Sequence, residues 1–422
     1  MKVVVLGLWH LGSVTVACAA EHFFVTGIDF DPERITGLGE GRAPLSEPGL
    51  DDLLKAGLLS GRLSFSLGVD ASALAAADIL WVCEDTPVDD HDVPNADFVL
   101  QRLEQCLPAL RAGAVVLLSS QLPAGTCRAL AKKHPRFAFA CSPENLRLGH
   151  ALEIFRKPDR VVIGASEEDT RDTLRKLFAP FAADKIIWMS PTSAEMTKHG
   201  INAFLALSVT FANELAGLCE EIGADAREVE TGLRSESRIG PKAYLRPGGA
   251  FAGGTLARDV VGLTQLARAK GANADLLSAI LSSNNAHGDW PLRRLRSLLG
   301  SLKGKTIAVL GLTYKAGTDT LRRSRAVELV AALIKEGAQV QAYDPAVRTL
   351  PADISHARLC TGLDEALREA DAAVIATEWP QIREADWAEL FPLMRQRLII
   401  DANRFLKLPP GADLKHITVG SL

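Results

Sequence analysis

The chain has 422 residues, of which 47% are hydrophobic and 23% are charged, and its formal net charge is −4. This length predicts two or three domains, and the composition predicts folded cores rather than a disordered chain. The charge balance argues against a nucleic-acid-binding surface. Because we find neither a bilayer-spanning run of about 20 apolar residues nor a secretory signal, we expect no membrane partner and a cytoplasmic protein.

The cysteines are irregularly spaced and include no CxxC pair. We therefore expect reduced, mostly buried thiols and assign no zinc or other metal site. The seven are Cys18, Cys83, Cys106, Cys127, Cys141, Cys219 and Cys360.

The first part of the chain alternates short apolar strands with helical stretches, beginning directly at the N-terminus. This alternation predicts βαβ units and a parallel sheet. The first helix is predicted over 12–20, and the predicted strands are 2–7, 24–29, 79–83, 114–119 and 160–163.

From about residue 193 to 223 the pattern changes to one long, largely apolar helix, with Gly200 as a candidate weak point. This helix either joins two α/β units or forms a dimer interface. Further helices are predicted over 259–270, 273–284 and 324–336, and further strands over 305–310, 339–343, 372–376 and 398–401. The fold class is therefore α/β, with two Rossmann-like, doubly wound parallel-sheet domains (1–190 and 301–422) joined by a helical core (191–300).

The residues Gly7, Leu8, Trp9, His10, Leu11 and Gly12 follow the first strand and open a helix, as a GxGxxG dinucleotide fingerprint does. Trp9 replaces the second glycine, and its side chain either displaces the phosphates or points away. Asp29 ends the second strand, where a carboxylate bonds a ribose 2′-hydroxyl and repels a 2′-phosphate. Because the helix N-terminus also suits a pyrophosphate, the pattern favours NAD over NADP and over an ordinary turn with a surface Asp.

Further ordered motifs run along nearly the whole chain: SEPGL at 46–50, TP at 86–87, SPENLRLG at 142–149, AEMTKHGINAF at 194–204, RIG at 238–240, GLTYK at 311–315 and AYDP at 342–345. Together they resemble the UDP-glucose/GDP-mannose dehydrogenase family. The resemblance implies an N-terminal NAD domain, a helical core that forms a homodimer, and a C-terminal domain for a nucleotide-sugar substrate. It also implies two oxidations at C6 of a hexose, giving an acid and two NADH, with a cysteine that holds the aldehyde as a thiohemiacetal.

Carried over by position, the resemblance implies NAD-binding residues beyond the fingerprint. They are Asp29 and Arg34 at the adenosine ribose, Thr86, Pro87, Ser120 and Gln121 around the nicotinamide, and Arg322 from the C-terminal domain.

The implied catalytic residues centre on the long helix. Lys198 and Asn202 are four residues apart and share one helix face, where a lysine can stabilise an alkoxide as hydride departs. Asp259 would act with a water as base, and Glu144 would face the same sugar. Taken singly, the four suggest a solvated lysine, a surface amide, a helix cap and a loop ion-pair partner. The implied substrate contacts are Asn145, Leu146, Arg147, Arg238, Phe251, Gly253, Tyr314, Lys315 and Arg404.

The sequence departs from the family pattern at positions that carry the chemistry. Thr255 stands at the position of the family's catalytic cysteine, four residues before Asp259, and its hydroxyl is a far poorer nucleophile than a thiolate. Cys141 lies near Glu144 in sequence, but we interpret it as a core thiol. The other departures are Glu84, Asp85, Gln121, Leu148 and Asn403.

Three functions therefore remain open from the sequence. The first is a two-electron dehydrogenase that converts a nucleotide-sugar alcohol into an aldehyde or ketone, because hydride transfer needs no thiol. The second is the full four-electron reaction through a hydrated aldehyde, with water activated by Asp259. The third, suggested by Trp9 and Thr255, is a non-catalytic relative that binds a nucleotide.

Overall fold

The structure is a computed structural model that describes residues 1–89, 93–144, 146–408 and 413–421. It divides into unit 1 (Met1–Ile201) and unit 2 (Asn202–Leu422), each with its own internal packing. The division into three domains made from the sequence stays a prediction.

Strands and helices alternate through unit 1, as the sequence predicts. The strands are β1 (Lys2–Leu6), β2 (Phe24–Asp29), β3 (Leu63–Leu67), β4 (Ile79–Val82), β5 (Val115–Leu118), β6 (Ala138–Cys141), β7 (Val161–Gly164) and β8 (Ile186–Met189). The helices are α1 (His10–Ala19), α2 (Pro32–Gly39), α3 (Leu50–Leu59), α4 (Ala71–Ala76), α5 (Ala96–Cys106), α6 (Thr126–Lys133), α7 (Ala151–Arg156) and α8 (Glu168–Ala182).

The described strands of unit 1 form one sheet in the order β3-β2-β1-β4-β5-β6-β7-β8. All its pairings are parallel except the one between β6 and β7. Val3 and Val5 of β1 belong to one apolar cluster, and Val4 and Leu6 belong to another. Because successive side chains of a strand point to opposite faces, both faces of the sheet are buried. The predicted doubly wound sheet is confirmed.

The long helix α9 (Pro191–Ile222) has 32 residues and runs without a break through Gly200, so the predicted weak point is wrong. Its length and its mean hydropathy of 1.4 meet the composition test for a membrane span, which corrects our prediction that no apolar stretch of this length exists. Buried core helices of globular proteins meet the same test. Ala206, Ala216 and the polar Asn213 of α9 are indeed buried within the protein.

Unit 2 continues with helices and a second sheet. Its helices are α10 (Ala226–Ser235), α11 (Thr255–Lys270), α12 (Asp275–Gly288), α13 (Trp290–Leu299), α14 (Arg325–Lys335), α15 (Leu363–Leu367), α16 (Pro380–Arg383) and α17 (Trp387–Leu390), with short 3₁₀ turns at Ala352–Ile354 and Phe391–Leu393. Its strands are β9 (Thr306–Leu310), β10 (Gln339–Tyr343), β11 (Arg358–Leu359), β12 (Ala372–Ile375), β13 (Leu398–Ile400) and β14 (Lys415–Ile417). The described strands pair in the parallel order β11-β10-β9-β12-β13-β14, as in a Rossmann-like sheet.

In each of the two sheets, a buried aspartate at the end of the second strand accepts a backbone hydrogen bond. Asp29 ends β2, and its Oδ2 accepts a hydrogen bond of 2.7 Å from the backbone N–H of Leu8. Asp344 directly follows β10, and its Oδ2 accepts a hydrogen bond of 2.7 Å from the backbone N–H of Leu312. In each unit a buried carboxylate therefore fixes the turn that leaves the first strand.

Candidate active site

The turn from Gly7 to Gly12 has no room for side chains at its two glycines. Gly7 has a φ of +86°, and a Cβ there would lie 2.5 Å from the Cα of Glu84. A Cβ on Gly12 would lie 1.8 Å from the carbonyl oxygen of Gly7. This is the tight passage from a strand into a helix that a dinucleotide loop requires, and the residues therefore fit an NAD pyrophosphate. Leu11 lies in the first turn of α1, partly buried.

The ring of Trp9 packs beside an arginine. Trp9 precedes α1 and is 39% exposed, and the guanidinium of Arg34 lies 5.2 Å from the centre of its ring. Arg34 also donates a hydrogen bond of 2.7 Å to Asp29. The ring and the guanidinium are thus held together at the end of β2, where the sequence places the adenosine ribose.

Asp29 is fully buried, so the alternative of an ordinary surface Asp is wrong. Besides Leu8 and Arg34, the backbone N–H of Asp31 donates to it at 3.0 Å. The carboxylate therefore organises the loops on both sides of it. Its contact with a ribose hydroxyl stays a prediction.

A second buried carboxylate, Glu84, lies under the same turn and is one of the departures from the family pattern. It pairs with Arg102 at 2.6 Å, and the guanidinium of Arg102 lies over the rings of Phe30 and Phe98. Burial raises the pKa of Glu84 above its ordinary value, and the hydrogen bond from Arg102 opposes that rise. Arg102 is therefore the counter-ion of Glu84 inside unit 1.

The residues assigned to the nicotinamide side follow β4 and β5. Thr86 donates a hydrogen bond of 2.8 Å to the carbonyl oxygen of Gln121, which joins the two loops, whereas Pro87 is exposed. A small cavity in unit 1 is lined by residues that include Ser120, Gln121, Cys141, Glu144, Lys198 and His199. The structure thus brings two of the predicted cofactor residues together with two of the predicted catalytic residues.

The side chain of Lys198 is only 11% exposed, and its Nζ lies 3.9 Å from Oε1 of Glu144. The alternative of a solvated lysine is therefore wrong. The other carboxylate oxygen of Glu144 accepts a hydrogen bond of 2.6 Å from the backbone N–H of Leu146. Arg147, in the same loop, is exposed, and Asn145 lies outside the described residues.

A buried acid on the same helix, Glu195, was not predicted from the sequence. Glu195 accepts hydrogen bonds from the backbone N–H groups of Gly125 at 2.5 Å and Cys127 at 2.8 Å, at the start of α6. One turn further on, Nε2 of His199 lies 3.0 Å from the carbonyl oxygen of Leu122. These contacts fix the first turns of α9 against the loop that follows β5.

In unit 2, the amide of Asn202 donates a hydrogen bond to the carboxylate of Asp259. Asn202 is 5% exposed and Asp259 is 1% exposed, so the alternative of a surface amide is wrong. Because α11 begins at Thr255, Asp259 lies inside the helix and does not cap it. The predicted helix start at residue 259 was therefore four residues late.

Thr255 is the exposed first residue of α11, and Gly254 before it has a φ of +111°. The loop that leads to it is held by the amide side chains of three asparagines. Their Oδ1 atoms accept the backbone N–H groups of Gly248 at 2.9 Å (Asn213), Gly249 at 2.7 Å (Asn403) and Phe251 at 2.9 Å (Asn284). The departure at Asn403 thus has a local role, because its amide shapes this loop.

The remaining predicted substrate residues lie in several parts of unit 2. The side chain of Arg238 is 87% exposed and pairs with Glu236. Nε of Arg404 donates a hydrogen bond of 2.6 Å to Thr418. Gly253 is in the loop before Thr255, Tyr314 lies next to Gly254, and Lys315 and Arg322 follow β9. The roles of these residues in substrate and cofactor binding stay predictions.

All seven cysteines belong to the described residues and are buried thiols. Burial raises the pKa of Cys18 to about 12 and that of Cys106 to about 12, so neither is a thiolate at neutral pH. Cys141 is buried, in agreement with our interpretation, and it also borders the cavity that contains Lys198.

Comparison with protein families gives three matches along the chain. The NAD binding domain of the UDP-glucose/GDP-mannose dehydrogenase family matches residues 1–182. The central domain of that family matches 192–286, and its UDP binding domain matches 308–408. Among curated proteins, a UDP-glucose 6-dehydrogenase from Pseudomonas aeruginosa is 34% identical over 100% of this chain and 97% of its own length.

Solved structures give the same result. A UDP-glucose dehydrogenase from Pyrobaculum islandicum superposes with a TM-score of 0.84 at 30% identity, covering 98% of this chain and 97% of its own. A UDP-D-ManNAc dehydrogenase from Pyrococcus horikoshii superposes with a TM-score of 0.86 at 26% identity, covering 100% of this chain and 99% of its own.

Proposed function

Because the chain belongs to the UDP-glucose/GDP-mannose dehydrogenase family, we propose that it oxidises one hydroxyl of a UDP-hexose with NAD and releases an aldehyde or ketone. The family relation makes it an NAD-dependent oxidoreductase of the nucleotide-sugar dehydrogenase type. The observation that carries the proposal is Thr255 at the start of α11, where the family's mechanism needs a thiolate.

The first oxidation requires a base, a group that stabilises an alkoxide, and an acceptor for hydride. We assign the base to Asp259, which takes the hydroxyl proton directly or through a water, and Asn202 orients its carboxylate. The ammonium of Lys198 stabilises the negative charge on oxygen, and Glu144 holds the lysine in place. NAD, when bound, accepts the hydride and becomes NADH.

A second oxidation would require that the carbonyl carbon carry an oxygen or sulfur nucleophile before another hydride leaves. The hydroxyl of Thr255 would have to lose its proton to act in this way, and its pKa lies far above that of a thiol. The proposed enzyme therefore stops after two electrons. In the reverse direction a carbonyl is reduced with NADH, and this reaction also transfers two electrons and needs no thiol.

The buried Asp259 favours one alternative, the four-electron reaction. A carboxylate that is oriented by Asn202 can activate water as well as accept a proton, and the hydrate of an aldehyde can lose a second hydride. The product would then be an acid, with two NADH formed per sugar. The two candidates thus differ in a quantity that is directly measurable.

The uridine nucleotide is proposed from the relatives. The C-terminal family match is described as a UDP binding domain, and the curated relative from Pseudomonas aeruginosa is a UDP-glucose 6-dehydrogenase. We further propose that the enzyme works in the cytoplasm.

We also propose a homodimer that forms through α9. Four of its exposed apolar residues lie in its second half, with Phe204 and Phe211 seven residues apart and Leu218 seven residues further on, followed by Ile222. They are 66%, 48%, 61% and 78% exposed in the single chain. Seven residues make about two helical turns, so the first three lie along one stripe of α9, and a second copy of the chain would cover it.

The proposed function is tested by screening UDP-hexoses with NAD and identifying the product by mass spectrometry, in the wild type and in Thr255→Cys. We expect an aldehyde or ketone from the wild type and an acid only from the cysteine variant. Thr255→Ser is the matched control, because it keeps a hydroxyl and removes only the methyl group. Acid from the wild type would refute the two-electron proposal, and turnover of GDP-hexoses alone would refute the assignment of the uridine nucleotide.

A further inference from the structure

The SEPGL motif at 46–50 has no part in the chemistry proposed above, yet its acid is among the most completely bonded side chains of unit 1. The carboxylate of Glu47 is 1% exposed. Its Oε1 accepts the backbone N–H of Ala151 at 2.7 Å, and its Oε2 accepts the backbone N–H of Gly149 at 2.9 Å. Nε2 of His10 lies 3.1 Å from the same Oε2.

These contacts determine which atom of the histidine carries a hydrogen. Burial raises the pKa of Glu47, but the hydrogen bonds from Gly149, Ala151 and His10 outweigh it, and the pKa lies below its ordinary value. Glu47 is therefore an ionised acceptor, and Nε2 of His10 must carry the hydrogen between them. Nδ1, the other ring nitrogen of His10, makes no hydrogen bond to any described residue.

His10 stands where the cofactor's phosphates are expected. It is the first residue of α1, it follows Trp9, and its side chain is 19% exposed. The N-terminus of this helix receives the pyrophosphate in a dinucleotide fold. The second glycine of the fingerprint, which normally lets the backbone approach the phosphates, is replaced here by Trp9.

We propose that His10, protonated and held in place by the buried carboxylate of Glu47, is a cationic ligand of the NAD pyrophosphate, and that Glu47 is its positioning residue. A neutral imidazole with its hydrogen on Nε2 offers only an acceptor at Nδ1, which a phosphate cannot use. The imidazolium donates from Nδ1 as well, so NAD binding takes up a proton.

The other charged groups near this loop are already paired. Asp29 pairs with Arg34, and Glu84 pairs with Arg102. On the side of α7, His150 is 71% exposed and lies 4.0 Å from Glu153. No acidic residue lies within the first turn of α1. Among the described residues, Glu47 is thus the acid that contacts His10.

The test is calorimetric titration of NAD into the apoprotein in two buffers of different ionisation enthalpy, from about pH 5.5 to about pH 8.5, where histidines titrate. We expect proton uptake by the wild type in the part of this range where the free imidazole is partly neutral, and affinity that falls as pH rises. His10→Gln should keep the hydrogen bond to Glu47, lose the proton uptake, and bind NAD about tenfold more weakly at low pH, the size of one charge-assisted hydrogen bond. The control His150→Gln removes an exposed histidine from the neighbouring turn and should behave as the wild type does.

Equal proton uptake by the wild type and His10→Gln would overturn the proposal. An NAD affinity of the wild type that does not depend on pH would overturn it too, and this measurement needs no variant. In Glu47→Gln we expect the proton uptake to shift to lower pH, because the imidazolium loses its anionic partner. An unshifted uptake would refute the role of Glu47. Each readout is binding, so the result does not depend on which sugar is oxidised or how far.

Discussion

The amide of Asn202 donates to the carboxylate of Asp259, and this polar contact joins α9 to α11 inside unit 2. Around it, Ala203 and Ala206 of α9 pack with Val260 of α11 in one apolar cluster. In such surroundings the hydrogen bond from Asn202 fixes the orientation of the carboxylate. The carboxylate of Asp259 is therefore held in place by α9.

Replacing Asp259 with Asn tests its role as the base. We expect kcat to fall by about 10²–10⁴-fold, the usual contribution of a general base, with little change in NAD affinity. Steady-state rates of NADH formation and NAD titration give the two quantities. Asp275→Asn at the start of α12 is the control, and a similar loss in both variants would contradict the assignment.

Replacing Lys198 with Met tests the stabilisation of the alkoxide. The variant keeps the length of the buried stem but loses the charge, so we expect kcat to fall by about 10²–10³-fold while the KM for the sugar nucleotide changes less. Lys132→Met on α6 is the control on an exposed lysine. If kcat is unchanged and only KM rises, Lys198 is a binding residue and this part of the account is wrong.

Glu195→Gln tests the anchoring of α9 in unit 1. The amide can accept only one of the two backbone N–H groups that the carboxylate accepts now, and the second is left without its partner. We expect a loss of about 1–3 kcal/mol in the free energy of unfolding, measured with urea. Glu167→Gln, before α8, should change it by less than about 0.5 kcal/mol, and equal effects would contradict the role of Glu195.

The low pKa of Glu47 predicts a pH dependence of stability. A carboxyl whose pKa is lower in the folded state stabilises the protein above its unfolded value of about 4.5, and this contribution disappears as pH falls through the folded value. We therefore expect the wild type to be more stable than Glu47→Gln at pH 7, by about 1–3 kcal/mol, and the difference to shrink below pH 4.5. Urea unfolding at several pH values measures it. Glu153→Gln is the exposed control, and a difference that grows as pH falls would contradict the sign.

Phe211→Glu tests the apolar stripe of α9. A charge in the middle of a covered apolar surface should convert the proposed dimer into a monomer, observed by sedimentation velocity. Leu59→Glu is the control, because Leu59 is 89% exposed on α3 and lies outside the stripe. A monomeric wild type, or a variant that remains dimeric, would contradict the proposed interface.

The sequence predicts the strands at the centre of each sheet well, because they are apolar on both faces. β2 and β10 have the predicted bounds. The strands that were not predicted are β3, β6, β8, β11 and β14. β6 (AFAC) and β8 (IIWM) are apolar throughout but only 4 residues long, and an apolar run this short does not distinguish a strand from a segment of a buried helix.

The site could be predicted only where a motif carries the information. Lys198 and Asn202 were found because their spacing and family pattern are local in sequence. Glu195 and the loop amide of Asn403 bind backbone N–H groups 70 and 154 residues away, and such contacts leave no periodic signal. Glu47, the partner of His10, lies in the SEPGL motif. The motif was recognised in the sequence, but the function of Glu47 was not.

We propose that oxidation ends at the carbonyl because Thr255 replaces a thiol, and the number of NADH molecules formed per sugar is the decisive measurement. With a limiting amount of an accepted UDP-hexose, excess NAD and a carbonyl trap to draw the reaction to completion, we expect one NADH per sugar and a product that carries an aldehyde or ketone. Two NADH per sugar, with a carboxylic acid as the product of the wild type, would contradict it.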